Sequence, residues 1–357
     1  LNSSFIRATL RRMKFAAKVV LLFLALAFPA LVPPAAAVQV QTADFAGRRY
    51  VRLEDWAHAA RFDFRWIDRD NVMQLTNRSC AMTFEKDSHN LEFNGINVLL
   101  CYPVVVQNGS GWLAESDFQQ TLAPLFVTPT NPAGGRIHTI VIDPGHGGKD
   151  PGIESGSHQE KKYTLLLAEE LRDQLKRAGF NASLTRTRDV YVEKSDRPEI
   201  AHERGADLFI SLHWNGTTVG KNDVKGVQTY CLTPSGAASS NSGDDVSDVG
   251  AKPGNRNDRQ NLLLAYDLQK SLTQNLDAED RGVRRARFAV LCDAQMPAVL
   301  IEGGYMTHPE ESKRIYDPEY RRRMAAAIVS GVLAYKRQVE PPPPAPVNPP
   351  SSSGASR

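Results

Sequence analysis

Thr139-Ile140-Val141-Ile142-Asp143-Pro144-Gly145-His146-Gly147-Gly148 is the stretch that decides the fold of this chain. A run of β-branched residues enters an Asp-Pro turn and then glycines. It reads as a buried strand that delivers a histidine into a loop. The arrangement recurs in Leu208-Phe209-Ile210-Ser211-Leu212-His213-Trp214-Asn215, and again where Glu302 follows Ala298-Val299-Leu300-Ile301. Three side chains able to bind metal or move protons thus stand just after three apolar runs. In an open α/β sheet, residues beyond the carboxyl ends of strands line the functional crevice.

Outward from these runs, strands and helices alternate over residues 137–337. Strand signals fall at His138–Ile142, Ala182–Thr185, Leu208–Leu212, Val227–Leu232 and Ala298–Ile301. Helical spacing marks Glu160–Ala178, Pro198–Arg204, Asn261–Leu276 and Pro318–Lys336. The expected class is α/β, with a mostly parallel central sheet flanked by helices. Residues 38–126 carry short alternating runs between turn residues and read as a small β-rich domain. Residues 127–136, with Pro129, Pro132, Gly134 and Gly135, read as the linker. The Pro- and Ser-rich residues 338–357 read as a disordered tail. Residues 235–254 form a long Ser-, Gly- and Asp-rich loop, and Asp258 is placed to cap the helix after it.

The chain has 357 residues, 41% of them hydrophobic, enough for two folded domains with tails. Its formal charge is +3, but residues 1–37 hold Arg7, Arg11, Arg12, Lys14 and Lys18 and no acidic residue, so the remainder carries −2. That balance gives no electrostatic case for nucleic acid. Residues 1–37 read as a signal peptide: Lys14 and Lys18, an apolar run Val19–Phe28, and a small-residue cleavage site at Ala35-Ala36-Ala37, with Met13 a candidate start. Export to the periplasm or cell envelope is expected, with no membrane attachment after cleavage. Export permits disulfides, and Cys80 and Cys101 are a candidate bridge; Cys231 and Cys292 read as buried thiols.

Catalytic zinc commonly takes three protein ligands from histidines and carboxylates, with water in the open position. His146 and His213 are the imidazole candidates. Glu160, at the start of a helix, is the candidate third ligand, with Glu154 and His158 as alternatives. One carboxylate away from the metal can then take a proton from water and pass it to a leaving amine. Glu302 is that candidate, and partial burial at a strand end should raise its pKa. Asp143 is expected to fix its turn, and Arg186 and Arg197 to be structural ion-pair partners. Asn215 suits either the site or the turn. His308 is read as a surface imidazole or a substrate contact.

Several stretches now carry a resemblance. They are Ile142–Gly152, Glu160, Leu184–Asp189, Arg197 with Ile200-Ala201, Ser211–Asn215, Arg281-Gly282-Val283 and Met296–Tyr305. In this order they resemble the zinc-dependent N-acetylmuramoyl-L-alanine amidases of cell-wall turnover. The resemblance implies one zinc ion on His146, Glu160 and His213, with Glu302 as catalytic carboxylate. It implies cleavage of the amide between the lactyl group of N-acetylmuramic acid and L-alanine in peptidoglycan. It also implies an insertion at 235–254 that a protein activator displaces, with Asp244, Asp245 and Asp248 as blocking carboxylates. Tyr50–Leu53, the Asn94-Gly95 turn and Trp112-Leu113-Ala114 before Phe118 resemble a copper amine oxidase N-terminal-like domain. No copper ligand set accompanies them, and His58 and His89 read as lone surface residues.

Overall fold

The computed structural model describes residues 40–131, 135–240 and 249–340. The expected signal segment, Asp244, Asp245, Asp248 and the tail beyond Glu340 lie outside the described residues. The chain divides into two compact units, one reaching Gly95 and including Leu100–Gln119, the other made of Ile96–Leu99 and everything from Gln120. Chain order in the first half is β1 (Thr42–Phe45), β2 (Arg48–Arg52), α1 (Leu53–Ala59), β3 (Asp63–Asp68), β4 (Val72–Thr76), β5 (Ala81–Glu85), β6 (Asn90–Phe93), β7 (Ile96–Leu99), β8 (Val105–Gln107), β9 (Ser110–Ala114), α2 (Glu115–Asp117) and α3 (Ala123–Phe126).

In the N-terminal unit β3 to β6 pair antiparallel in succession. Alternation puts Met73, Leu75, Met82, Phe84, Leu91 and Phe93 on one buried face. Asp117 is buried because its carboxylate accepts from the Cys101 and Tyr102 amides, at 2.8 and 3.1 Å. Cys80 and Cys101 are buried thiols, not the bridge expected, and Cys231 and Cys292 are buried thiols too. Asn94 and Gly95 both have positive φ, as a two-residue turn of this sequence requires.

The second half runs β10 (Thr139–Pro144), β11 (Glu154–Ser155), β12 (His158–Gln159), α4 (Glu160–Arg177), β13 (Asn181–Leu184), α5 (Asp196–Glu203), β14 (Leu208–Asn215), β15 (Val227–Leu232), α6 (Asp258–Leu276), β16 (Asp280–Ala286), α7 (Ala289–Cys292), β17 (Ala298–Tyr305), α8 (Pro309–Tyr316) and α9 (Pro318–Val339). Its strands lie in the order β13-β10-β14-β17-β15-β16-β7. The sheet is mixed, which corrects the expectation of a mostly parallel one. β13, β10, β14 and β17 are mutually parallel, but β15 is antiparallel to β17, and β16 and β7 follow β15. The reason is the link between β14 and β15. Residues 216–226 contain no helix, so the chain cannot cross back and must return in the opposite direction. β16, Arg-rich and without an apolar run, is a strand that periodicity does not reveal.

Helices α4 and α6 pack beside the sheet, and α9 packs against both of them. α4 buries Tyr163, Leu167, Ala168, Leu171 and Leu175, the stripe its spacing predicts. α9 approaches α6 closely because Gly331 has no side chain; a Cβ there would stand 2.9 Å from the Leu268 Cα. Asp258 opens α6 without capping it, and instead accepts from the Asn255 amide at 2.9 Å. No helix among the described residues is long and apolar enough to cross a membrane.

Asp267 on α6 is buried, with a hydrogen bond of 2.7 Å from Gln338, and burial pushes its carboxyl up to about 7. The folded state therefore holds this proton after the unfolded chain has lost it. Stability falls as pH rises from about 4 to about 7. Asp267→Asn should raise the melting temperature by a margin that grows across that window. Equal melting shifts at pH 4.5 and pH 8 would contradict this.

Candidate active site

Asp143, at the end of β10, is fully buried and organises the ground beneath the site. Its carboxylate accepts from Thr185 Oγ1 at 2.6 Å, Ser211 Oγ at 2.8 Å and Arg197 Nη1 at 2.9 Å. Three neighbouring segments are thereby tied to one anion. Arg197 is the ion-pair partner expected. Arg186 differs from expectation: it donates to the carbonyls of Pro144, Gly145, Lys161 and Arg188. Arg197 also reaches the carbonyls of Pro144 and His146, both at 3.0 Å. Every carbonyl from Pro144 to His146 thus accepts from a guanidinium.

That clamp matters because His146 has φ +61°, a left-handed conformation that costs a non-glycine residue roughly 1 kcal/mol. The bend turns its imidazole toward Glu160. His146 Nδ1 lies 2.9 Å from Asp150 Oδ2, and Nε2 lies 3.1 Å from Glu160 Oε2. His213, in the last part of β14 and not beyond it, sets Nδ1 3.0 Å from Glu160 Oε1. The two imidazole rings meet edge-on, 4.9 Å between centroids. Gly145 makes room for this pair, since a Cβ there would stand 2.2 Å from the His213 ring.

Glu160 is the first residue of α4 and is 2% exposed. Besides the imidazoles, it accepts from the Ile153 amide at 2.9 Å and the Trp214 amide at 3.0 Å. Burial alone would raise its pKa, but hydrogen bonds from both histidines outweigh that and hold the carboxylate well below its usual range. Burial likewise opposes charge on His146, yet the bonds to Glu160 and Asp150 leave its pKa raised. One ligand atom from each of His146, Glu160 and His213 lies within 4.8 Å of the others. The alternatives are elsewhere: Glu154 is exposed on β11, and the His158 ring is stacked on Tyr316.

Glu302 stands within β17, directly opposite His213 on β14 and Gln228 on β15. Opposed residues share a sheet face, so Glu302 and His213 project together. Burial, and then the charge of Glu160, push the Glu302 carboxyl well above its ordinary value. Its Oε2 is buried with no hydrogen-bond partner among the described residues. A cavity of about 450 Å³ is lined by these four residues and by Asp150, Tyr191, Lys194, Arg287, Phe288 and Val290, among others.

Asn215 serves its turn, its side chain accepting from the Gly216 amide at 2.8 Å, and it also lines the cavity. His308 is not a surface residue: it is buried and caps α8, Nδ1 accepting from the Glu310 and Glu311 amides. Asp150 escaped sequence reasoning, because an acidic residue four places after a loop histidine carries no periodic signal.

The family model of the N-acetylmuramoyl-L-alanine amidases matches residues 140–334, more than half of the chain. The chain belongs to this amidase family. It is 32% identical over 232 residues to the N-acetylmuramoyl-L-alanine amidase AmiA of Salmonella typhimurium, a match spanning 58% of this chain and 79% of that protein. It is 34% identical over 247 residues to the amidase AmiC of Neisseria meningitidis, spanning 62% of this chain and 57% of that one. Among solved structures, the amidase AmiC2 of Nostoc punctiforme shares 34% identity, covering 57% of this chain and 99% of its own, with a TM-score of 0.47. The protein is thus an N-acetylmuramoyl-L-alanine amidase, an amide hydrolase of peptidoglycan.

The Asp143–Arg197 pair should be the costliest to break. Arg197→Ala leaves a buried carboxylate without its cation and should lower unfolding free energy by about 3–5 kcal/mol in urea titration. A loss below about 1 kcal/mol would mean that Thr185 and Ser211 suffice.

Proposed function

We propose that this amidase is zinc-dependent, with the ion held by His146, Glu160 and His213 and with Glu302 as the proton-transfer residue. The observation that carries this reading is that one donor atom from each of these three residues lies within 4.8 Å of the others, beside the Glu302 carboxyl, whose Oε2 is buried without a hydrogen-bond partner among the described residues. The donor set fits zinc. Two imidazoles and one carboxylate are a familiar set for the metal. The Asp150 carboxylate at His146 Nδ1 fixes the tautomer that leaves Nε2 available as a ligand. The amides of Ile153 and Trp214 hold Glu160 in place.

When bound, zinc polarises the scissile carbonyl and lowers the pKa of water to roughly 7. The chain's own residues do the rest. Glu302, whose carboxyl is pushed well above its ordinary value by burial and then by the charge of Glu160, in its ionised form takes a proton from the attacking water. It then gives that proton to the amine of L-alanine as the amide bond breaks. Phe288 and Val290 supply apolar wall to the cavity and limit water around the reacting bond. The bond cleaved is the one between the lactyl group of N-acetylmuramic acid and L-alanine.

Residues 1–37 act as an export signal, and the mature enzyme works in the periplasm or cell envelope, in wall turnover or daughter-cell separation. The N-terminal unit, of copper amine oxidase N-terminal-like type, associates with the wall. A protein activator acts on the 235–254 loop.

The test is product analysis. Digestion of purified sacculi should release intact stem peptides with free N-terminal L-alanine, visible by mass spectrometry. A chelator should abolish release and added zinc restore it. Products cut inside the stem would indicate a peptidase instead. Glu302→Gln should lower kcat by roughly 100-fold or more, the range for loss of a general acid–base group. Normal kcat in that variant would remove Glu302 from its role.

A further inference from the structure

We infer that His158, Tyr163 and Tyr316 form an aromatic clamp that positions Glu160 as a metal ligand. The inference rests on the zinc reading above. His158 lies on β12, two residues before Glu160, in the short hairpin β11–β12. Its ring stacks on Tyr316, 3.8 Å between centroids and 12° from parallel. Its Nδ1 shares a hydrogen bond with the Tyr163 hydroxyl. Tyr163 lies 4.6 Å from Tyr316, centroid to centroid, which closes the triangle.

The three rings come from three elements. Tyr163 is on α4, which Glu160 begins; Tyr316 ends α8, which follows the strand carrying Glu302. The clamp therefore ties the hairpin to α4, which bears Glu160, and to the end of α8. The hairpin in turn controls Glu160 directly. Ile153, just before β11, donates its amide to Glu160 Oε2 and accepts from the Glu160 amide through its carbonyl, both at 2.9 Å. If the hairpin moves, one of the four groups holding the carboxylate moves with it. Arg321 lies over the outer edge of the cluster, 5.7 Å from the Tyr163 ring. Its side chain donates to the Ile315 carbonyl at 2.7 Å, which fastens α8 below Tyr316.

None of these rings lines the active cavity, so they act through Glu160 and are positioning residues. The measurement is zinc affinity of the full chain by competition with a chromophoric chelator, paired with melting of the zinc-free protein. Tyr316→Ala should weaken zinc binding roughly tenfold, the lower range for losing support behind a ligand. Tyr316→Phe, which keeps the ring, should bind within about threefold of the parent. His158→Ala removes the stack from the half-buried hairpin side and should reproduce the loss with little change in zinc-free melting. Parent-like zinc affinity in both alanine variants would overturn the clamp and leave the zinc site intact. An equal loss in Tyr316→Phe would overturn ring stacking as its basis. Failure of the parent chain to bind zinc would instead overturn the reading of the site itself.

Discussion

The Glu160 carboxylate is the interaction around which the site is built. A buried anion is tolerated only where hydrogen bonds and opposite charge replace its water. Glu160 finds four such partners: two imidazoles and the amides of Ile153 and Trp214. They come from three places. His146 follows β10, Ile153 precedes the β11–β12 hairpin, and His213 and Trp214 end β14. Satisfying one carboxylate therefore fixes where four segments meet. The same arrangement brings three atoms able to hold a metal ion within 4.8 Å of one another.

A second anion does comparable work one layer down. Asp143 binds Arg197, Thr185 and Ser211, and the guanidiniums of Arg186 and Arg197 hold the carbonyls through which the chain turns to His146. Without that support the left-handed His146 would relax to an ordinary conformation and its ring would leave the site. The reversal of β15 matters in a different way. It places Gln228 beside Glu302 on the side away from His213, leaving the carboxyl between two strands of opposite direction. Burial there and the nearby charge of Glu160 give Glu302 its affinity for a proton.

The elements nearest the site were the most legible in the sequence. β10, β14 and β17 contain continuous apolar runs, and His146, His213 and Glu302 stand after those runs as the sequence shows. α4 and α9 showed their buried stripes plainly. What escaped detection lacked such a pattern. β16 is a strand of Asp, Arg and Gly with only Val283 and Ala286 as buried apolar residues, too few to show a period. α8 is short and begins at a capping histidine whose role depends on a fold the local sequence does not display. The direction of β15 depended on a missing crossover helix, which is a property of the link and not of the strand. Asp150 and the His158–Tyr163–Tyr316 cluster depend on contacts that side-chain identity alone cannot reveal. His158 drew notice as a possible ligand, when its ring is engaged by Tyr316.

Family membership sets the reaction class, and the structure suggests how these residues share the work. In the proposed mechanism Glu160 binds the metal and Glu302 carries protons, while Asp150 lies at the His146 ring and Arg186 and Arg197 hold the backbone that leads to it. The most direct measurement is anomalous diffraction at the zinc edge from crystals grown with zinc. We expect one strong peak among His146 Nε2, His213 Nδ1 and the Glu160 carboxylate, lost in His213→Ala. A peak at another position, or none in crystals of active enzyme, would contradict the assignment.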